Sequence, residues 1–279
     1  MPEDYKVQNQ ALKIGIVGCG GRMGQALVGV VLDHPKARLS GGTEQQDSLR
    51  VGQTIRHPVT GADSGLVIGA NAEQLFENSD IVIDFTCPTA TVMHSGFAAK
   101  HGTVHIAGTT GMTPEDEKAL HHAAKTVPVV YAANFSLGVN LLFYLTRKAA
   151  SLLDDEYDIE ILEMHHRHKV DAPSGTALGL GQEAARGRGV DLGQVSDRVR
   201  DGITGERKRG DIGFAVLRGG NVAGEHSVSF NAPDERIILS HKAGDRAIFA
   251  RGAVKAALWA VDRPAGLYDM FDVLGLPKE

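Results

Sequence analysis

The stretch Lys13-Ile14-Gly15-Ile16-Val17-Gly18-Cys19-Gly20-Gly21-Arg22-Met23-Gly24 decides the fold. A short apolar run of strand character breaks into a cluster of glycines, and an apolar helical pattern follows it. Strand, glycine turn and helix in that order form the setting of a dinucleotide fingerprint: glycines admit a pyrophosphate to the backbone, and the helix start supplies amide donors and a partial positive charge. The spacing here is Gly18-x-x-Gly21-x-x-Gly24, with Met23 where the commoner pattern has its third glycine. Gly18, Cys19, Gly20, Gly21, Arg22 and Met23 are therefore candidate cofactor contacts, Arg22 adding a charge. Glu44 lies about 20 residues beyond the loop, where a carboxylate accepts hydrogen bonds from an adenosine ribose. Gln45 follows it where a basic residue would pair with a 2′-phosphate, so NADH is at least as plausible a cofactor as NADPH.

Outward from this loop, Lys13 to Pro128 repeats a strand-then-helix rhythm. Strands are expected at Lys13–Val17, Ala37–Gly41, Ile81–Phe85, Thr103–Ala107 and Val127–Ala132. Helices are expected at Thr89–Lys100 and Pro114–Lys125, the second opened by Thr113 as N-cap and Pro114 at the first helical position. This order predicts an α/β fold, a Rossmann-like doubly wound parallel sheet with ligands beyond the carboxyl ends of its strands. Gly108-Thr109-Thr110-Gly111 and Ala132-Ala133-Asn134-Phe135 end the last two strands, on the rim where a nicotinamide would sit. Gly108, Thr109, Thr110, Ala132, Ala133, Asn134 and Phe135 join the candidate cofactor set.

The pattern changes after Asn134. A long helix (Leu137–Leu153) leads to a strand (Tyr157–Met164), a histidine-rich run, and a helix from Gly175. Ile212–Leu217, His226–Phe230 and Arg236–Ser240 are rich in β-formers and separated by turn residues. They predict a second α+β domain with a mixed sheet. The last helix, Ile248–Val261, resembles those of the first half. The expected division is a discontinuous dinucleotide-binding domain, 1–132 with 247–279, and a substrate-binding and oligomerisation domain, 133–246. Arg186–Gly210, charged and glycine-bearing, reads as an exposed loop.

A net charge of -5 gives no general attraction to nucleic acid or to an anionic membrane. No run approaches membrane-spanning length and the polar N-terminus lacks a signal-peptide core. Two cysteines, Cys19 and Cys87, form no CxxC pair and fit a reducing compartment. A cytoplasmic location is expected.

The run His165-His166-Arg167-His168-Lys169-Val170-Asp171-Ala172-Pro173-Ser174-Gly175-Thr176-Ala177 sets proton-handling groups against a helix start. Acid–base chemistry, anion binding and a metal site are the readings it admits, beside a solvated basic loop. Against metal stand the lack of a nearby cysteine and of an i, i+4 histidine pair. Ser174 reads as an N-cap, with the Gly175 and Thr176 amides placed to take a carboxylate beside a proton donor. A small, carboxylate-bearing substrate suits both halves.

GCGGRMG, AGTTG, AANFS and HHRHKVDAPSGTAL, with TGERKRGDIGF, GEHSVSF and FARGAVKAALW, together resemble the 4-hydroxy-tetrahydrodipicolinate (dihydrodipicolinate) reductase family over essentially the whole chain. The resemblance implies an NAD(P)H-dependent step of lysine and diaminopimelate synthesis on a dicarboxylate substrate, in a two-domain homotetramer with no metal. By matching position it implies that His165 and Lys169 handle protons and that His166, Gly175 and Thr176 bind substrate. Some family members carry arginine where this chain has Gln45. Two rival readings are another nicotinamide reductase with the same plan and a catalytically silent dinucleotide sensor. The presence of both His165 and Lys169 speaks against the second.

Overall fold

In the computed structural model, which describes residues 11–278, residues up to Phe135 and from Phe249 onward form one compact unit and Ser136–Ile248 another. The first unit begins with β1 (Leu12–Val17), α1 (Arg22–Asp33), β2 (Ala37–Thr43), β3 (Thr54–Arg56), β4 (Asp63–Gly69) and α2 (Ala72–Glu77). It continues with β5 (Ile81–Asp84), α3 (Pro88–His101), β6 (Val104–Ala107), α4 (Pro114–Ala123) and β7 (Pro128–Tyr131). The second unit holds α5 (Leu137–Leu152), β8 (Asp158–His165), α6 (Gly175–Arg188), α7 (Leu192–Val195), β9 (Ser196–Asp197), β10 (Ile212–Arg218), β11 (Glu225–Asn231) and β12 (Arg236–Lys242). The chain then passes through α8 (Ala247–Ala260), and β13 (Gly266–Tyr268) and α9 (Met270–Leu274) complete the first unit.

The first sheet runs β13-β7-β6-β5-β1-β2-β4-β3, parallel at every pairing except β3 with β4. Ile14, Ile16, Ile81, Val82, Ile83 and Ile106 are fully buried, as strands covered on both faces require. Each such side chain contributes about 1.5–3 kcal/mol relative to exposure. α4 starts with the expected cap: the Thr113 hydroxyl accepts from the Asp116 amide and the Asp116 carboxylate accepts from the Thr113 amide, a box worth about 1 kcal/mol.

The second unit carries the mixed sheet β12-β11-β8-β10-β9, with β8 parallel to β10 and antiparallel to β11. One face meets α5 and α6 through Ile159, Ile161, Phe214, Val228 and Phe230 against Leu142, Leu180 and Ala184. The other face leaves Leu162, Leu217 and Ile238 exposed. The architecture is thus the doubly wound parallel sheet with a mixed-sheet α+β companion that the sequence predicts.

Differences are local. β3, β4, α2 and β13 were not expected, because their short segments lack a clear apolar period. Arg186–Gly210 is not one exposed loop: α6 runs on to Arg188, and Leu192 of α7 is buried in the second core.

Candidate active site

In the first unit the glycine loop joins β1 to α1 at the carboxyl edge of the sheet. Gly18 has φ +67°, a left-handed conformation that side chains resist, and a Cβ on Gly24 would collide with the Gly18 carbonyl. Gly21 is the N-cap of α1 and offers no side chain to the free amides of its first turn, which also lacks an acidic residue. That bare helix start is what an anionic pyrophosphate needs. Beside it lies a cavity of about 690 Å³ lined by Gly18, Gly21, Glu44, Gln45, Phe85, Thr86, Cys87 and His94, among others. The glycine cradle and the cavity fit a dinucleotide.

Glu44 Oε1 accepts the Gly20 amide at 2.7 Å, so the acidic residue also fixes the loop. The Cys19 thiol packs under Gly42, and burial pushes its pKa up to about 12. Gly108 lies against the Phe85 ring, and Thr109 is buried, its hydroxyl 2.6 Å from that of Thr91. Phe135 is buried with its ring centroid 5.3 Å from that of Phe85. Gly108–Thr110 and Ala132–Phe135 follow β6 and β7 at the same sheet edge, outside the lining of the 690 Å³ cavity. Arg50 was not anticipated: with Arg22, Glu44 and Ser48 it lines a neighbouring cavity of about 370 Å³. Nothing in the sequence between β2 and β3 marks it out.

In the second unit His165 ends β8, and its ring is buried. Its Nδ1 bonds the Glu163 carboxylate. Glu163 also accepts the Ser174 amide at 3.0 Å and receives both Nη groups of Arg218 at 2.8 and 2.9 Å. Burial alone would raise the Glu163 pKa, but Arg218, His165 and the Ser174 amide together hold it below the usual carboxylate range. An ionised carboxylate fixed on Nδ1 turns the His165 Nε2 away from it. Gly224 faces that atom, and a Cβ there would stand 3.0 Å from it.

Ser174 caps α6 by accepting the Ala177 amide at 3.1 Å, and its hydroxyl oxygen lies 3.0 Å from His226 Nε2. The His226 ring stands edge-on to His165 at 5.0 Å. A Cβ on Gly175 would meet no atom within 4 Å, so the start of α6 is open to a ligand there. Lys169 Nζ lies 2.9 Å from Asp171, and His166 Nε2 lies 3.4 Å from Arg246. Burial, followed by the Arg246 charge, lowers the His166 pKa.

The structure therefore brings His165, His166, Lys169 and the α6 start onto one strand end, one turn and one helix of the second unit. It adds Glu163, Arg218, His226 and Arg246, which the sequence reading missed. A signal existed for Glu163: in the alternation Ile159, Ile161, Glu163, His165 it occupies the inward face of a strand. Among the described residues no group of three His, Cys, Asp or Glu side chains is arranged to hold a metal ion, and no helix is long and apolar enough to cross a membrane.

Residues 12–135 match the family described as dihydrodipicolinate reductase, N-terminus, and residues 138–274 its C-terminus. A 4-hydroxy-tetrahydrodipicolinate reductase of Ruegeria sp. strain TM1040 is 56% identical over 263 residues, 94% of this chain and 98% of its own length. One from Agrobacterium fabrum is 50% identical over 271 residues, 97% of this chain and 98% of its own. The fold is similar to that of a dipicolinate-bound dihydrodipicolinate reductase from Paenisporosarcina sp. TG-14, with a TM-score of 0.73 at 24% identity over 94% of this chain and 99% of that one. A bare-started helix beside a nucleotide-sized cleft, a carboxylate-braced histidine, and relatives matching nearly the whole chain lead to one conclusion: the chain belongs to the dihydrodipicolinate reductase family.

Proposed function

We propose that the protein reduces 4-hydroxy-tetrahydrodipicolinate, by way of dihydrodipicolinate, to tetrahydrodipicolinate in lysine and diaminopimelate synthesis, drawing on NADH or NADPH. The observation that carries this reading is the His165–Glu163–Arg218 bracket set beside Lys169 and the α6 start, within a chain of this family. The first unit serves as the dinucleotide-binding domain and the second as the substrate-binding and oligomerisation domain.

The α1 start takes the pyrophosphate and Glu44 the adenosine ribose, with the turns at Gly108–Thr110 and Ala132–Phe135 flanking the nicotinamide. Bound there, the reduced nicotinamide supplies a hydride. The α6 start, through Gly175 and Thr176, takes one substrate carboxylate, and His166 beside Arg246 takes the other. Loss of water from the 4-hydroxy ring gives a conjugated imine, and a hydride at C4 turns it into an enamine that needs a proton at C3. Lys169 and His165 are the proton carriers. A positioned acid is worth roughly 10² to 10⁴ in rate. Glu163 acts on His165 by fixing its ring orientation.

Arg22 and Arg50 line one cavity with Glu44 and offer a 2′-phosphate the cations that Gln45 does not, which keeps NADPH beside NADH as the nucleotide. The exposed Leu162, Leu217 and Ile238 face of the second sheet supports a homotetramer built through that sheet. The cytoplasm is the compartment where this chemistry and free thiols fit.

The test is oxidation of NADH and NADPH by purified protein supplied with the condensation product of pyruvate and aspartate semialdehyde. Protein-dependent oxidation of at least one nucleotide supports the reading, and the two kcat/KM values give the preference. Absence of oxidation of either, with folded protein and verified substrate, overturns it.

A further inference from the structure

The first unit buries a charged group that the chemistry above leaves unused. The Asp84 carboxylate, at the end of β5, is fully buried, and the two imidazoles beside it, His94 of α3 and His105 of β6, are 4% and 0% exposed. Asp84 Oδ1 accepts the Thr86 amide at 3.0 Å and the Thr86 hydroxyl at 2.6 Å. Oδ2 accepts His94 Nδ1–H at 2.8 Å and faces His105 Nε2 at 3.5 Å. The Ser95 hydroxyl donates to the Thr91 carbonyl at 2.8 Å, and its oxygen lies 3.5 Å from His105 Nδ1. Phe76 closes the box, its ring centroid 5.8 Å from that of His94 and 5.7 Å from that of His105. A carboxylate in such surroundings is costly unless its neighbours compensate it.

What the group holds is the wall of the nucleotide cleft. Asp84 pairs in register with Val17, the residue before the glycine loop, and with Ala107 of β6. Its carbonyl accepts the Gly108 amide at 2.7 Å. The side chain fixes Thr86, whose methyl stands 3.1 Å from where a Cβ on Gly18 would lie, and Thr86 and His94 both line the 690 Å³ cavity. One residue thus ties together the glycine loop, the Thr86–Cys87 turn and the start of the Gly108–Thr110 turn. Although burial alone would raise its pKa, the two imidazoles beside it, His105 and His94, hold the Asp84 carboxyl well below the usual carboxylate range.

We propose that Asp84, braced by His94 and compensated by His105, is a positioning residue of the nucleotide site, acting through Thr86 on the shape of the cleft. The inference rests on the nucleotide reading given above. The experiment is direct binding of NADH and NADPH to the full chain, by nucleotide fluorescence, for the wild type, Asp84→Asn, His105→Leu, His105→Gln, Thr86→Val and the Asp84→Asn/Thr86→Val pair, with circular dichroism to establish folding.

Asp84→Asn and His105→Leu are expected to weaken nucleotide binding about tenfold or more, the size of one well-placed polar interaction. KM for the nucleotide should rise more than kcat falls. His105→Gln, which offers an amide N–H toward Asp84, should recover most of the affinity lost in His105→Leu. Thr86→Val should add little in the Asp84→Asn background, because both changes break the same link. Affinity within twofold of wild type in folded Asp84→Asn and His105→Leu, or full additivity in the cycle, overturns the proposal. Should His105→Leu fail to fold, Asp84→Asn and the cycle decide alone. A wild type that binds neither nucleotide refutes the nucleotide reading itself and this inference with it. Normal wild-type binding with unaffected variants refutes this inference only.

Discussion

Acidification should destabilise the fold through His226, and the size of the effect follows from its surroundings. The ring is 4% exposed, its Nε2 lies 3.0 Å from the Ser174 hydroxyl oxygen, and its Nδ1 has no partner among the described residues. Burial first, and then the charge of His165, lower its pKa from 6.5 to about 4. The folded chain therefore refuses a proton that the unfolded chain accepts between those two values. Stability linked to this group is complete above pH 6.5 and is lost as pH falls toward 4. The full loss is about 3 kcal/mol, at 1.36 kcal/mol per pKa unit. By pH 5 about 2 kcal/mol of it is gone. Urea unfolding at fixed protein concentration, for the wild type and His226→Gln at half-unit steps from pH 8 to pH 5, isolates the contribution as the difference between two curves. The wild type should lose about 2 kcal/mol more than the variant over that range. A difference that stays constant within about 0.5 kcal/mol would mean that His226 titrates normally in the folded chain, and would sink the argument.

Lys169→Ala should leave nucleotide binding nearly intact and cut kcat roughly a hundredfold or more in steady-state assays; near-normal turnover would remove Lys169 from the chemistry. Arg50→Ala should raise KM for NADPH while sparing that for NADH, which parallel titrations of the two nucleotides will read. Gly252→Ala should lower the melting temperature sharply, because the new methyl would collide with the Phe135 carbonyl. Gly96→Ala, in α3 with no atom within 4 Å of the new methyl, should instead be neutral or stabilising by up to about 1 kcal/mol. Leu162→Glu with Ile238→Lys should shift the solution mass, read by light scattering, toward smaller species without loss of secondary structure.

The part of the fold that was legible in the sequence is the part held together by apolar period. β1, β5 and β6 are short runs of Ile and Val closed by glycine or a small polar residue, and the helices between them carry local start signals such as Thr113-Pro114. β4 was not legible. Its residues Asp63–Gly69 are mostly partly exposed and take strand form by pairing with β2 and β3, a tertiary cause that no local pattern announces. The proton-handling run could be read because its residues are contiguous. The bracket behind it could not, since Arg218 reaches Glu163 across 55 positions and stands opposite His165 only once β8 and β10 pair. His105 and Asp84 looked like ordinary strand positions for the same reason. Sequence displays residues that act side by side along the chain, and hides those that meet across strands.

The last helices and strand carry a consequence for how the molecule is made. β13 pairs with β7, and α8 places Gly252 against Phe135, so the first sheet is finished by residues synthesised last. While the ribosome adds Ser136–Ile248, an interval on the order of ten seconds at ordinary synthesis rates, β7 remains an open edge and Phe135 lacks its cover. The inserted unit, contiguous in the chain, can close first. A nascent chain of this protein thus waits half-built, with a sticky strand edge exposed, until its own tail emerges. Premature termination anywhere after Tyr131 and before Gly266 would release a product that offers that edge to its neighbours.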